Sequence, residues 1–142
     1  KTGRNEEAVG LADSNKQFFY ALSAKIKRIL SIFQKRIELL EQKGKTIGFY
    51  AGGLCVAGVL KHKLEPRFFD GDIAKHGKFF PGCKNPIESP INLIRSKVDE
   101  LWIMAVDYND EIVDYLKHVL KIPQDIKIIS FKKFLEDDGK VI

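Results

Sequence analysis

The sequence predicts an α/β fold: a three-layer, Rossmann-like parallel sheet preceded by a long amphipathic N-terminal helix. Three observations carry that prediction. Short apolar strands alternate with helical segments from Thr46 onward, a glycine pair follows the first strand, and apolar residues recur at helical spacing across 14–42. The chain accordingly divides into a flexible leader (1–13), the long helix (14–44) and the Rossmann-like domain (45–142).

The leader is polar and glycine-bearing, a composition that frays at a terminus. In the helix, Phe19, Leu22, Ile26, Ile29, Phe33, Ile37 and Leu40 follow steps of three and four and draw one stripe. Asp13 or Ser14 suits its start and Gly44 its end. At 1.5 Å per residue such a helix is about 40 Å long, more than a small domain needs, so part of the stripe is expected to meet another chain or domain. Residues 46–51 form the first strand, Gly52-Gly53 the turn, and 54–60 a helix face; 67–70 closes this βαβ unit. Residues 71–90, rich in Gly, Pro, Lys and Asn, read as a connection. Ser89-Pro90 starts a short helix through Leu93 and Ile94, since proline suits the first helical position. Residues 99–106 are an apolar run fit for burial on both faces. A helix over 108–120 ends at Lys121-Ile122-Pro123, 126–131 is the last strand, and 131–135 a short tail helix.

Composition narrows the function classes. The chain has 142 residues, 44% apolar and 30% charged, which is enough for one domain with a real core. No apolar run approaches the roughly 20 residues that span a bilayer, and no secretory leader is evident. Because it opens at Lys1, the chain reads as trimmed or as a piece of something longer. The net charge of +5 sits in residues 1–47, which hold ten Lys/Arg against five Asp/Glu; the remainder holds fourteen of each. With the basic residues dispersed among apolar ones and no nucleic-acid-binding signature, a solvated helix face is expected rather than a specific nucleic acid partner. Cys55 and Cys83 form no CxxC pair, and His62, His76 and His118 lack ligand spacing, so neither a metal nor a disulfide is expected. A reducing, cytoplasmic setting follows.

Right-handed crossovers align the strand C-termini along one edge, which gathers Tyr50, Ala51, Gly52, Gly53 and Leu54 with Asp70 and Tyr108-Asn109. A phosphate needs approachable backbone N–H groups and a helix start, and the glycine pair clears the way to them. Asp70 follows Gly52 by eighteen residues, near the spacing at which a carboxylate meets a ribose diol, although a strand-end aspartate is also a common turn former. Tyr108 suits stacking on a base and Asn109 hydrogen bonding to one, with Asp107 an alternative helix cap. The full G-x-G-x-x-G fingerprint is absent: Tyr50 stands at its first position, which weighs against an NAD(P)-binding domain. No nucleophile elbow, HExxH or Walker lysine is present, so no catalytic residue is expected and binding is favoured over turnover.

The blocks Glu41-Gln42-Lys43-Gly44-Lys45-Thr46-Ile47-Gly48-Phe49-Tyr50-Ala51-Gly52-Gly53, Phe69-Asp70-Gly71-Asp72, Lys78-Phe79-Phe80-Pro81-Gly82, Pro86-Ile87-Glu88-Ser89-Pro90 and Ala105-Val106-Asp107-Tyr108-Asn109-Asp110 resemble, in order, the C-terminal domain of sugar C-methyltransferases. Related Rossmann-like domains accompany other sugar-modifying and polysaccharide-assembly enzymes. The resemblance implies that an N-terminal domain holds S-adenosylmethionine and that this domain, binding no cofactor alone, helps hold the nucleotide of a nucleotide-linked sugar. Where the family's loop often carries Ala/Ser-Lys-Gly, this chain has Gly53-Leu54-Cys55-Val56, without the lysine. A different class of reading is a non-catalytic dimerisation or interaction module, joined to a second copy or a partner domain through the 14–42 helix.

Overall fold

The computed structural model describes residues 2–52 and 65–141, and in the first helix the side chains of 16, 17 and from 20 onward. Helix α1 spans Thr2–Gln42. It begins at Thr2 rather than near Ser14, so Asp13 and Ser14 stand within it instead of capping it. Gly44, at φ +74°, follows its end in the left-handed conformation that glycine adopts without a Cβ clash. The strands are β1 (Ile47–Tyr50), β2 (Arg67–Phe69), β3 (Ile87–Glu88), β4 (Glu100–Ile103) and β5 (Lys127–Ser130). Between them lie α2 (Asn92–Arg95) and α3 (Asn109–Asp114, continued by one π-helical stretch, Tyr115–Val119), and α4 (Phe131–Glu136) follows β5. The helix face expected over 54–60 falls outside the described residues.

The five strands form one sheet in the order β3-β2-β1-β4-β5, every pair parallel. The parallel α/β architecture expected from the alternation of elements is therefore present. β3 lies inside the segment read as a connection. Two residues are too few to show a period of two, and only pairing with Phe68 and Phe69 makes them a strand.

Pleating sends alternate side chains to opposite faces and builds two cores. On one face Phe49, Trp102 and Ile129 meet Ile29, Phe33 and Ile37 of α1 and Phe134 of α4. On the other, Tyr50, Phe69, Leu101 and Ile103 pack beneath Leu93 of α2 and Leu116 of α3. Phe33 is the hub of the first core, its ring edge-on to Trp102 at 4.9 Å and to Phe49 at 5.9 Å. Gly48 is required by the second core: a Cβ there would lie 2.9 Å from Phe69 Cε2 and 3.1 Å from Leu101 Cδ1.

Two polar clusters tie helices to strand ends. Glu100, 3% exposed, accepts from Arg36 Nε (3.0 Å) and Nη2 (2.9 Å) on α1 and from Trp102 Nε1 (2.8 Å). Arg67 donates to both oxygens of Glu88 (2.9 and 2.7 Å) and to the Ser96 carbonyl (2.7 Å), joining β2, β3 and the end of α2. Burial alone would raise the Glu88 carboxyl, but hydrogen bonds from Arg67 and Asn92, with the Arg67 charge, outweigh it and hold it below the ordinary 4.5.

Candidate functional site

β1 and β4 are adjacent, yet the chain leaves β1 towards β2 on one side and leaves β4 towards β5 on the other. This is a topological switch point, where open α/β sheets leave a crevice outside the strand C-termini. At the end of β1, Ala51 (φ +57°) and Gly52 (φ +58°) are both left-handed. The conformation costs Ala51 about 1–2 kcal/mol and is free for glycine. Ala51 N still donates to Phe69 O at 2.9 Å, so the chain departs from the sheet only after this residue. A Cβ on Gly52 would lie 3.2 Å from Met104 Cβ, which brings the β1 end against the β4 end. Gly53 and Leu54, expected in the same loop, lie outside the described residues.

Tyr50 belongs to the core beneath α2 and α3, 5% exposed. Its hydroxyl reaches within 3.3 Å of where a Cβ on Gly71 would stand. Burial, followed by the proximity of Tyr115 and Asp70, pushes its phenol up to about 12. Asp70 is held as a turn: its Oδ1 accepts from Asp72 N at 2.9 Å, Oδ2 meets Lys75 Nζ at 3.3 Å, and its carbonyl lies 2.7 Å from His76 Nε2. Lys75 and His76 thus serve Asp70 directly.

Tyr108 occupies the N-cap position of α3, where no side chain makes a capping hydrogen bond, and is 66% exposed at the same edge. Asn109 is the opposite case. It is 5% exposed, its Nδ2 donates to Asp110 Oδ1 at 3.2 Å, and its Oδ1 is buried without a partner. Tyr50, Ala51, Gly52, Asp70, Tyr108 and Asn109 therefore all stand at the C-terminal ends of three neighbouring strands or just beyond them, with Asn109 turned inward.

A groove of about 560 Å³ lies one strand further on, between α3 and the β5–α4 segment. Among the described residues, its lining includes Asn109 but not Tyr50, Ala51 or Gly52. Its Ser130, Lys133 and Lys140 stand in no sequence motif for ligand binding. A serine between a strand and a helix is a capping signal, and Ser130 Oγ does accept from Lys133 N at 3.2 Å, yet that pattern alone points to a helix start. Among the described residues no group of three or more His, Cys, Asp or Glu is arranged to hold a metal ion, and no helix is long and apolar enough to cross a membrane.

Compared with known families, residues 1–129 match the model described as the C-methyltransferase C-terminal domain. No curated protein and no solved structure gives a significant match.

Proposed function

The chain belongs to the C-methyltransferase C-terminal domain family, and we propose that it recognises the nucleotide of a nucleotide-linked sugar for such an enzyme. The observation that carries this reading is the switch point between β1 and β4, with left-handed Gly52 at its lip. Asp70 supplies the carboxylate towards a ribose, and the exposed ring of Tyr108 a platform for a base. S-adenosylmethionine is assigned to the remainder of the enzyme, and the domain alone transfers no methyl group. An interaction role for α1 is favoured by one observation of its own: Leu22 and Ile26 continue the packed stripe but are 44% and 43% exposed. The two roles are compatible in one enzyme.

Thermal melts with UDP and TDP test the nucleotide reading. A ligand at 100 times its Kd stabilises the fold by about 2.7 kcal/mol, a readily measured rise in Tm. Tyr108→Ala, exposed and outside both cores, should melt like the parent alone yet lose about tenfold in affinity, the scale of one base–aromatic stack. Absence of any shift at millimolar nucleoside diphosphate overturns the proposal.

A further inference from the structure

We propose that the outer edge of β5 is where two copies of this chain pair, antiparallel about a two-fold axis, to make one continuous sheet. β5 ends the strand order, and among the described residues no strand lies beyond it. A parallel ladder engages alternate residues of a strand. Lys127 N donates to Asp99 O at 3.0 Å, so Lys127 and Ile129 turn their backbone groups to β4. The N–H and C=O of Ile128 and the N–H of Ser130 therefore face outward.

The groove of about 560 Å³ opens along this edge. Ile128, Ile129 and Ser130 line it in succession. Successive strand side chains point to opposite faces, and Ile128 packs in the α3-side core while Ile129 packs in the α1-side core. A cavity that touches all three follows the backbone rather than either face, with α3 as one wall and α4 as the other. β5 contains no proline and no bulge, and Lys127 at its start is its only charged residue, so the devices that keep a sheet edge from pairing are sparse.

The charges on the walls select the occupant. Asp110, Asp114 and Asp137 stand there with Lys117, Lys133 and Lys140. Among the described residues none of these lysines has a carboxylate within ion-pair distance, and Asp114 has only His118, at 3.7 Å. Equal numbers of both signs match neither a polyanion nor a polycation, but they match the same patch reversed. A two-fold contact supplies that reversal, because each copy presents one surface to itself. Centred on Ile128, two antiparallel edges exchange both Ile128 hydrogen bonds, and each Ser130 N–H meets the Ile126 C=O of the other copy. The axis is then perpendicular to the sheet, so α3 meets α3 and α4 meets α4, and the lysines of one copy reach the aspartates of the other. Nucleotide binding at the Gly52–Asp70 edge and pairing at β5 are independent of each other.

Sedimentation velocity across a concentration range, at low salt, tests the pairing by charge exchange. Lys133→Glu/Lys140→Glu turns the groove acidic and Asp114→Lys/Asp137→Lys turns it basic. Each variant alone should self-associate at least about tenfold more weakly than the parent, through like-charge contact, and an equimolar mixture of the two should recover the dimer. Amide hydrogen exchange reads the backbone: Ile128 and Ser130 should be protected in the dimer and open in the dilute monomer, while Lys127 and Ile129 are protected in both. A parent that stays monomeric at about 1 mM overturns the proposal. So does a dimer indifferent to both charge variants, a mixture that stays monomeric, or a dimer with Ile128 and Ser130 unprotected. A dimer that dissociates in Ile26→Asp yet ignores the groove charges is built on α1, and overturns it as well.

Discussion

Tyr50 shows how one side chain can belong to both a core and a site edge. As the last residue of β1 it follows the pleat into the α3-side core, while its hydroxyl reaches the turn made by Asp70 and Gly71. The phenolate would be created in that half-dry setting beside a carboxylate, which is why its ionisation is displaced upward to about 12. The sign follows from linkage: a folded value above the ordinary 10 contributes stability that is fully present below pH 10 and is lost as pH rises through about 12. Absorbance at 295 nm should therefore keep rising to about pH 12, and Tyr50→Phe should remove that last step. A titration complete by pH 11 would contradict the buried placement. Ala51 next to it is the other unusual residue: a non-glycine side chain in left-handed backbone, at the place where the chain leaves the sheet.

Between elements, ion pairs do what the short strands cannot. β2 and β3 have three and two residues, too few ladder hydrogen bonds to fix an edge, and the Arg67–Glu88 pair clamps them to each other and to the end of α2. Because the Glu88 carboxyl is held below 4.5, its contribution is present above that pH and is lost as pH falls through its folded value. Glu88→Gln should be less stable than the parent at pH 7 in urea unfolding, and the gap should close as pH drops below about 4.5. A gap independent of pH would assign the effect to packing instead. The Arg36–Glu100–Trp102 cluster plays the same part for α1, orienting the helix on β4 by a forked, charge-assisted contact.

On the scale of the molecule, the governing feature is a helix longer than the sheet it covers. α1 has 41 residues, about 60 Å at 1.5 Å per residue, and β4 has four. The stripe residues from Ile29 to Leu40 pack on the core, whereas Leu22 and Ile26 on the same stripe do not. Phe33→Asp should therefore unfold the domain, since replacing a buried Phe costs about 3–5 kcal/mol before any charge is considered. Ile26→Asp should leave the melting free energy within about 0.5 kcal/mol, as for other exposed positions. Circular dichroism melts across a concentration range check both. A concentration-dependent loss in Ile26→Asp would instead place that residue in an interface between copies.

What the chain determined locally was legible in its residues: the strand–helix alternation, the helical stripe, the end of α1 at Gly44 and the gathering of Ala51, Gly52, Asp70 and Tyr108 at one edge, since these depend on pattern and on crossover handedness. The two-residue β3, the inward turn of Asn109 and the bond from Arg36 to Glu100 were not, because each rests on a neighbour remote in sequence. The groove is the clearest instance. Its lysines and aspartates look like ordinary solvated charges along the chain, and only the packing of α3 and α4 on either side of β5 brings them around one cavity.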